Sequence, residues 1–433
     1  MKRGFYTIMA AQFFSSLADN ALLIASIALL IELQAPKEMT PLLKFFFTVS
    51  YVLLAAFVGA FADSRPKGTV MFLTNLIKIS GCILLLFSDF LTIPGTEDYV
   101  IVLLAYGLVG FGAAAYSPAK YGILTELLPP EQLVVANGWI EGLTVGSIVL
   151  GTVVGGLLIS PKLSGALLEM DVVLFNFGID SAPEIAMVVI AGLYVIAATF
   201  NLFIPDTGAR YAKQPTNPIV LVKDFAHCFV TLWKDKIGQI SLAVTTLFWG
   251  AGATLQFIVL KWAEQQLGLP LDKGAILQGV VAVGIAVGAV AAARFVPLKK
   301  SLGVLPFGVI MGFVMLPMVL VTDVWFAYPL CVLVGAMAGY FVVPMNALLQ
   351  HRGHVLLSAG HSIAVQNFNE NLNILLMLGI YALLIRADLS INIIIILFAM
   401  FVSGAMTLVI LWNKSNHRRQ NLDHLIGEAK HGH

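Results

Sequence analysis

Charged residues are scarce in this chain. They make up 11% of its 433 residues, whereas ordinary soluble domains carry about 25%. Hydrophobic residues make up 59% of the chain, which is more apolar surface than one water-soluble core can bury. The net charge of +1 excludes a general nucleic-acid-binding protein. The solvent around most of this chain is therefore predicted to be a lipid bilayer.

Cysteines and catalytic signatures are also few. The three cysteines, Cys82, Cys228 and Cys331, lie far apart, which argues against a disulfide framework or a metal site. The chain has no GxSxG, no HExxH and no phosphate-binding GxxxxGK motif, and the glycine-rich run at 107–113 lies inside an apolar helix. We therefore predict no catalytic residue, metal or cofactor. The first apolar run is too long for a signal-peptide core and is expected to remain as a span.

Twelve apolar stretches have the length of a transmembrane helix, which needs about 20 mostly apolar residues to cross a ~30 Å hydrocarbon layer. They lie near residues 5–32, 41–62, 69–91, 99–122, 133–159, 184–204, 239–264, 274–297, 303–321, 324–349, 359–385 and 389–412. If the N-terminus is cytoplasmic, the cytoplasmic segments hold 18 of the 25 Lys and Arg, the other face holds six, and Lys78 lies within a span. This excess follows the positive-inside rule and predicts that both termini are cytoplasmic.

The longest polar stretch, residues 206–238, divides the predicted spans into six plus six. Two six-helix halves related by an axis along the membrane normal are the architecture of major facilitator transporters. We therefore expect an all-α integral membrane fold of twelve transmembrane helices. Its expected units are an N-terminal half at 1–205, a cytoplasmic linker at 206–238, a C-terminal half at 239–413 and a cytoplasmic tail at 414–433.

The segment GAFADSRPKG, residues 59–68, lies between the second and third predicted spans. A glycine, an acid four residues later, basic residues and a second glycine form a loop signature of major facilitators, which Gly59, Asp63, Arg65, Lys67 and Gly68 fit. Glycine allows close helix packing, and the acid can cap a helix end beside cations. These residues are candidates for a gating loop. The alternative is an ordinary polar loop with positive-inside lysines.

Asp19 lies deep in the first predicted span, where a charge costs ~2.5–3.5 kcal/mol and usually faces a cavity or a partner. It is about 14 residues into the span, which is about 21 Å at 1.5 Å per residue. Gln12, Ser15 and Ser16 recur with it at helical spacing, so one face of this helix is polar. We expect this face to line a cavity.

Glu370 lies close to the middle of the eleventh predicted span, about 16 Å from its cytoplasmic end. Asn367 and Asn371 share its helix face at i, i+3 and i+4 spacing. Amides also bond across membrane helices, so this face could serve packing alone. The polar face combined with a deep acid favours the lining of a cavity.

Other charges in the spans have plainer alternatives. Lys78 can reach the interface with its long side chain or pair with an acid, and Glu141 can do the same. Lys261 and Glu264 lie near a helix end and can extend to water. Lys120 follows Pro118 near the cytoplasmic end of the fourth span, where it is either a positive-inside lysine or a cation at a gate.

Several segments resemble the bacterial lysophospholipid transporter family of the major facilitator superfamily. They are DNALL at 19–23, ADSRPKG at 62–68, GAAAYSPAKYGIL at 112–124, FWGAGATL at 248–255, FVVPMNALLQHRG at 341–353 and AVQNFNEN at 364–371. The resemblance implies inward movement of lysophospholipids, chiefly lysophosphatidylethanolamine, across a bacterial inner membrane. It also implies an acyltransferase–acyl-carrier-protein synthetase as the functional partner that reacylates them.

The resemblance carries Asp19, Lys120, Asn367 and Glu370 over as polar residues of the transport path. It also shows a departure, because Gln256 stands where relatives have an arginine after FWGAG-TL; Lys78 or Lys261 could substitute for that cation. The full set of predicted path or gate residues is Asp19, Asn20, Lys120, Glu141, Gln256, Asn367, Glu370 and Asn371.

Two other functions stay open from the sequence. A major facilitator that exports drugs or small metabolites would share the loop at 59–68 and the buried acids. A membrane enzyme acting on lipids is disfavoured because nucleophile and metal signatures are missing from the sequence.

Overall fold

The computed structural model describes residues 3–36, 39–91, 97–128, 130–174, 179–209 and 215–419. They form fifteen α-helices. The bounds are α1 Arg3–Glu32, α2 Met39–Leu53, α3 Ala55–Asp63, α4 Lys67–Leu86, α5 Asp98–Leu127, α6 Pro130–Ile159, α7 Pro161–Leu174, α8 Ala182–Leu202, α9 Pro218–Lys234, α10 Gly238–Gln265, α11 Leu271–Phe295, α12 Leu305–Met315, α13 Val324–Leu356, α14 Ala359–Arg386 and α15 Ile391–Arg419.

Eleven helical segments of the described residues are long and apolar enough to cross a membrane, and α2 with α3 makes a twelfth if the bent pair is one span. The predicted all-α fold and its helices are therefore confirmed. The predicted second span is broken at Leu54, where α2 and α3 meet at 64°. α12 is short, and 3-10 turns at 298–304 and 316–319 extend it at both ends.

α5 runs through Pro118 to Leu127, five residues past the predicted end of the fourth span. Lys120 consequently lies two turns before the end of this helix.

The predicted linker contains a helix, α9, and two residues stabilise its first turn. Asn217 accepts a hydrogen bond from the backbone N–H of Ile219, and Pro218 supplies a fixed helical φ at the first position. The segments at 210–214 and 420–433 of the linker and tail lie outside the described residues.

Most buried apolar residues fall into separate cores for the two parts of the chain, and a small cluster of Val58, Ala115 and Ala364 joins the two parts. Two clusters hold only residues between Phe5 and Ile204, including Tyr106 and Tyr194, and a third and largest cluster holds residues between Ile237 and Val409. Each set of helices therefore has its own interior. We call α1–α8 the first helix set and α10–α15 the second helix set.

The second helix set is held together by an unusually close crossing of α11 and α13. Gly284 and Gly288 on α11 meet the backbone of α13, and Gly335 and Gly339 on α13 meet the backbone of α11. A Cβ atom on any of the four would collide with a backbone carbonyl of the other helix. Small residues four apart let two membrane helices approach in this way.

The two helix sets touch along α6 and α11, between α2 and α14, and on the face where α3 ends and α9 lies, which we call the linker face. A Cβ atom added to Gly59 of α3 would lie 3.2 Å from the carbonyl oxygen of Gly360 and 3.3 Å from Cβ of Ala364, both on α14. Asn137 of α6 donates a hydrogen bond to Gln350 of α13, with 2.7 Å between nitrogen and oxygen. The interface between the sets is thus closed at the linker face.

Candidate functional site

A cavity of about 350 Å³ lies between the two helix sets. Helices α1, α2, α4, α5 and α6 line it from the first set, and α10, α11, α12, α13, α14 and α15 line it from the second. Its volume lies at the lower end of the range of small-molecule sites.

The wall formed by the first set is mostly polar. Its polar lining residues are Gln12, Ser15, Ser16, Asp19, Asn20, Lys44, Thr48, Tyr51, Lys78, Tyr106, Tyr116, Ser117, Lys120, Tyr121 and Thr144. The predicted polar face of the first span therefore borders the cavity, because Gln12, Ser15, Ser16 and Asp19 all belong to this wall.

Asp19 and Lys78 form an ion pair at the centre of this wall. The Lys78 ammonium lies 2.7 Å from Oδ2 of Asp19 and donates a second hydrogen bond, of 3.0 Å, to Oγ of Ser15. The hydroxyl of Tyr194 donates to Oδ1 of Asp19 at 2.7 Å. Side-chain exposure is 2% for Lys78 and 17% for Asp19, so the carboxylate is the partner that faces the cavity.

Aromatic rings complete the surroundings of Lys78. Its Nζ lies 5.1 Å from the centre of the Tyr116 ring and 5.8 Å from that of Tyr194. Such cation–π contacts contribute about 0.5–2 kcal/mol each. The sequence left the partner of Lys78 open; the structure identifies it as the carboxylate of Asp19.

The wall formed by the second set is mostly apolar. Its apolar lining residues are Phe248, Trp249, Ala251, Ala253, Leu255, Val259, Val281, Ala282, Ile285, Met311, Met315, Val334, Ala338, Val342, Ile374, Phe398 and Val402. Five polar residues interrupt it: Gln256, Gln278, Asn367, Glu370 and Asn371. An amphipathic ligand fits such a cavity better than a uniformly polar one, because each wall meets a matching part of it.

The polar residues of the second wall form hydrogen bonds with their neighbours. Gln278 of α11 donates to the backbone oxygen of Gln256 at 2.6 Å, so Gln256 is part of an amide pair and brings no charge. On α14, Gln366 donates to Oε1 of Glu370 at 2.8 Å. Asn367 donates to Oγ of Ser117 on α5 at 2.9 Å, which joins the two helix sets at the cavity wall.

Lys120, which the sequence position left as either a positive-inside lysine or a cation at a gate, lines the cavity. Because α5 continues to Leu127, Lys120 lies within the helix and not at its end. The side chain is buried, and its Nζ lies 4.1 Å from the centre of the Tyr121 ring.

Lys44 lines the cavity and was missed as a site residue from the sequence. In the sequence, Lys44 is one of six basic residues on the predicted non-cytoplasmic face, so nothing distinguishes it from the other five. A signal was present, because Lys44, Phe47, Thr48 and Tyr51 recur at i, i+3, i+4 and i+7 on α2 and all four line the cavity.

Glu141, Lys261 and Glu264, the other charged residues noted in the predicted spans, are not among the described residues that line the cavity. The backbone of Glu141 belongs to α6, but its side chain lies outside the described residues. Lys261 is half-buried and Glu264 is exposed, and neither is among the described residues that line the cavity. Gln256 and Asn20 do line it, as does Asn371.

The predicted gating loop lies at the contact between the helix sets. Asp63 is buried, and its Oδ1 lies 2.7 Å from Nζ of Lys67. Across the interface, Ser358 donates to Oδ2 of Asp63 at 3.3 Å, and Nδ1 of His361 lies 3.5 Å from the same oxygen. Lys67 also lies 3.5 Å from Oε1 of Glu126 on α5. Asp63 therefore bridges α3 to the first turn of α14.

The other loop residues have simpler positions. Arg65 is exposed. Gly68 packs against α8, since a Cβ atom there would lie 3.1 Å from Cβ of Ile204 and 3.3 Å from the backbone oxygen of Asn201. Gly59 forms the contact with Gly360 described above. The two glycines thus serve close approach, and the acid serves the bridge between sets.

The fold and the central cavity between two helix sets define a transporter of the major facilitator class. A sequence model of the Major Facilitator Superfamily matches residues 8–372. Solved structures with the same fold include a bacterial homologue of the iron transporter ferroportin in an outward-facing state, at 14% identity and a TM-score of 0.69, covering 96% of this chain and all of that one. The human organic anion transporter MFSD10 gives 16% identity and a TM-score of 0.65, with 95% and 100% covered.

Within that superfamily the chain belongs to the lysophospholipid transporter family. The lysophospholipid transporter LplT of Yersinia enterocolitica is 41% identical over 387 residues, which cover 89% of this chain and 88% of that protein. LplT of Pectobacterium carotovorum is 40% identical over 392 residues, with 90% and 89% covered. The family resemblance inferred from the sequence segments is thereby confirmed.

Proposed function

We propose that this chain moves lysophospholipids, with lysophosphatidylethanolamine as the main substrate, across a bacterial inner membrane toward the cytoplasmic leaflet. The observation that carries the proposal is the division of the cavity into a polar and an apolar wall. A lysophospholipid has one charged head group and one apolar chain, so the head group would lie between the first helix set and the polar residues of the second wall, and the chain against the apolar residues of the second wall. Membership of the lysophospholipid transporter family supports the same substrate class.

The mechanism that fits this arrangement is alternating access. The two helix sets have separate cores, so they can rock as two bodies around a cavity between them. We take the linker face as cytoplasmic, in agreement with the positive-inside distribution of the basic residues. The cavity closed at this face would receive substrate from the outer leaflet, and opening of the Asp63 bridge would release it inward.

Glu370 is the group we assign to the head-group amine. Its carboxylate is the only acid of the second wall among the described lining residues, and it is held by Gln366 at 2.8 Å. A carboxylate in this low-dielectric setting attracts an ammonium strongly. After transport, the lysolipid would be reacylated by an acyltransferase–acyl-carrier-protein synthetase on the cytoplasmic side.

The test is transport by the purified chain in proteoliposomes. Radiolabelled lysophosphatidylethanolamine is added to the outside of vesicles with sorted protein orientation, and label in the inner leaflet is measured by back-extraction with albumin. We expect protein-dependent movement in one orientation. A hydrophobic cationic drug serves as the alternative substrate. Movement of the drug without movement of the lysolipid would overturn the proposal in favour of an exporter.

A further inference from the structure

Among the described residues, three lysines line the cavity, and they differ in what surrounds their ammonium groups. Lys78 is paired with Asp19 at 2.7 Å and also bonded to Ser15. Lys120 is buried against the ring of Tyr121 and has at least one further interaction. Lys44 lies 5.4 Å from the centre of the Phe47 ring, and within the described parts of the chain no carboxylate forms an ion pair with it.

The position of Lys44 separates it from the other two lysines along the cavity. It is the sixth residue of α2, which starts at the face opposite the linker face, so it lies about 8 Å along the helix from that end at 1.5 Å per residue. Its neighbours on the cavity side of α2 are Phe47, Thr48 and Tyr51. The ammonium thus lies toward the end of the cavity away from the linker face.

Lys44 has no carboxylate within ion-pair distance among the described residues, and the Asp19 carboxylate acts on it only over a longer distance. The described lining residues carry three lysines and two acids, Asp19 and Glu370. The Asp19 carboxylate contacts both Lys78 and Tyr194. If Lys78 moved to a ligand anion, the carboxylate of Asp19 would lose its cation, which is costly. An ammonium beside an apolar membrane region is costly unless an anion joins it.

We propose that Lys44 binds the phosphate of the lysophospholipid. The proposal rests on the proposed function and adds the residue that recognises the anionic part of the head group. A lysine is a compact point charge on a flexible stem, and its hydrogen bonds to a phosphate oxygen are charge-assisted. Gln256 on the opposite wall is paired with Gln278 and supplies no positive charge. The phosphate is held at the outer end of the cavity, which places it early on the path inward.

The experiment compares ligands with and without a phosphate. Binding of lysophosphatidylethanolamine, lysophosphatidylglycerol and a monoacylglycerol of the same chain length is measured with the purified full chain in detergent. The variants are Lys44→Gln, Lys44→Arg and, as a matched control, Lys261→Gln. Lys261 is a half-buried lysine of α10 that is not among the cavity-lining residues.

We expect Lys44→Gln to weaken binding of both lysophospholipids about 10- to 100-fold, which corresponds to the loss of a hydrogen bond to a charged group. Monoacylglycerol binding should stay within about twofold, which also shows that the variant is folded. Lys44→Arg should retain most of the phosphate-dependent affinity, and Lys261→Gln should match the unmodified chain.

Three results would overturn the assignment, and they can be told apart. Unchanged lysophospholipid binding by Lys44→Gln, with normal binding by the unmodified chain, removes Lys44 and leaves the proposed function standing. An equal loss of affinity for monoacylglycerol shows that Lys44 shapes the cavity and does not bind the phosphate. Absence of lysophospholipid binding by the unmodified chain removes the proposed function together with this one.

Discussion

At the scale of single residues, the Asp19–Lys78 ion pair stabilises the polar wall of the cavity. Removing one member of a buried pair leaves the other charge without compensation, which costs about 3–5 kcal/mol, whereas removing both is often nearly neutral. The stability role and the transport role of these residues can therefore be separated, because Asp19 is 17% exposed toward the cavity and Lys78 only 2%.

We predict that Asp19→Asn lowers the melting temperature of the purified protein by several degrees and reduces lysolipid transport. The double variant Asp19→Asn with Lys78→Met should recover most of the stability, since no buried charge then stays unpaired. Transport should stay low in the double variant. Fluorescence-detected melting and the proteoliposome assay measure the two properties. Normal transport by the stable double variant would show that the pair serves folding alone.

Glu370→Gln keeps the size of the side chain and its contact with Gln366 but removes the charge. Under the proposed function, we predict that it lowers transport of lysophosphatidylethanolamine about tenfold and affects lysophosphatidylglycerol less, because only the first has an amine. Protein amount in the membrane should be unchanged. Asn371→Asp adds a carboxylate one residue away on the same cavity lining, and it tests whether the position of the acid matters. Equal loss for both lipids would contradict an amine-binding role.

Much of the residue-level site could be read from the sequence, for a physical reason. A charge in a long apolar stretch is costly enough to be informative, and Asp19 and Glu370 both line the cavity. The partners could not be read, because Tyr194 and Ser15 meet Asp19 and Lys78 only through tertiary packing. Lys44 was overlooked because it lies near the end of its predicted span, where a lysine needs no special explanation.

At the scale of helices, the crossing of α11 and α13 is the tightest contact of the second helix set. Gly335 lies against the carbonyl of Val281, and Gly288 lies against that of Ala336. The spacing of small residues at 284 and 288 and at 335 and 339 was visible in the sequence, but spacing does not say which helices meet. The break at Leu54 was not predictable either, since residues 45–62 contain no proline and no charged residue.

We predict that Gly335→Leu lowers stability strongly, because the side chain cannot fit without separating α11 from α13. Overpacking of a well-packed contact costs typically 1–3 kcal/mol and here meets backbone atoms, which cannot rotate away. The control is Gly404→Leu on α15, where a Cβ atom would meet nothing within 4 Å. Melting temperatures and detergent gel filtration compare the two. Equal stability of both variants would contradict this account of the crossing.

At the scale of the whole molecule, the Asp63 bridge and the contact of Gly59 with α14 hold the linker face closed. Asp63 contacts Ser358 and His361 of the second helix set and Lys67 of its own. The sequence located this loop because its glycines and acid have a recognisable spacing. The partners on α14 come from the other half of the chain, about 300 residues away, and no local pattern connects them.

We predict that a disulfide between Gly59→Cys and Ala364→Cys stops transport. A Cβ atom at position 59 lies 3.3 Å from Cβ of Ala364, close to the 3.5–4.5 Å span of natural disulfides. The bond would hold the linker face closed, and reduction should restore transport. Each single cysteine variant is the control for the substitution itself. Full activity of the oxidised double variant, with the bond verified by gel shift, would show that this contact does not open during transport.

The break at Leu54 has a consequence for how this protein can vary. α2 lies beside the cavity and carries Lys44, whereas α3 carries Gly59 and Asp63 to the contact with α14. The 64° bend makes these two rigid segments out of one span. Substitutions in α3 can therefore change the closure without altering the described cavity lining, whereas α2 also packs against α14, so substitutions there affect ligand contact and closure together. This asymmetry lies within a single stretch of 25 residues.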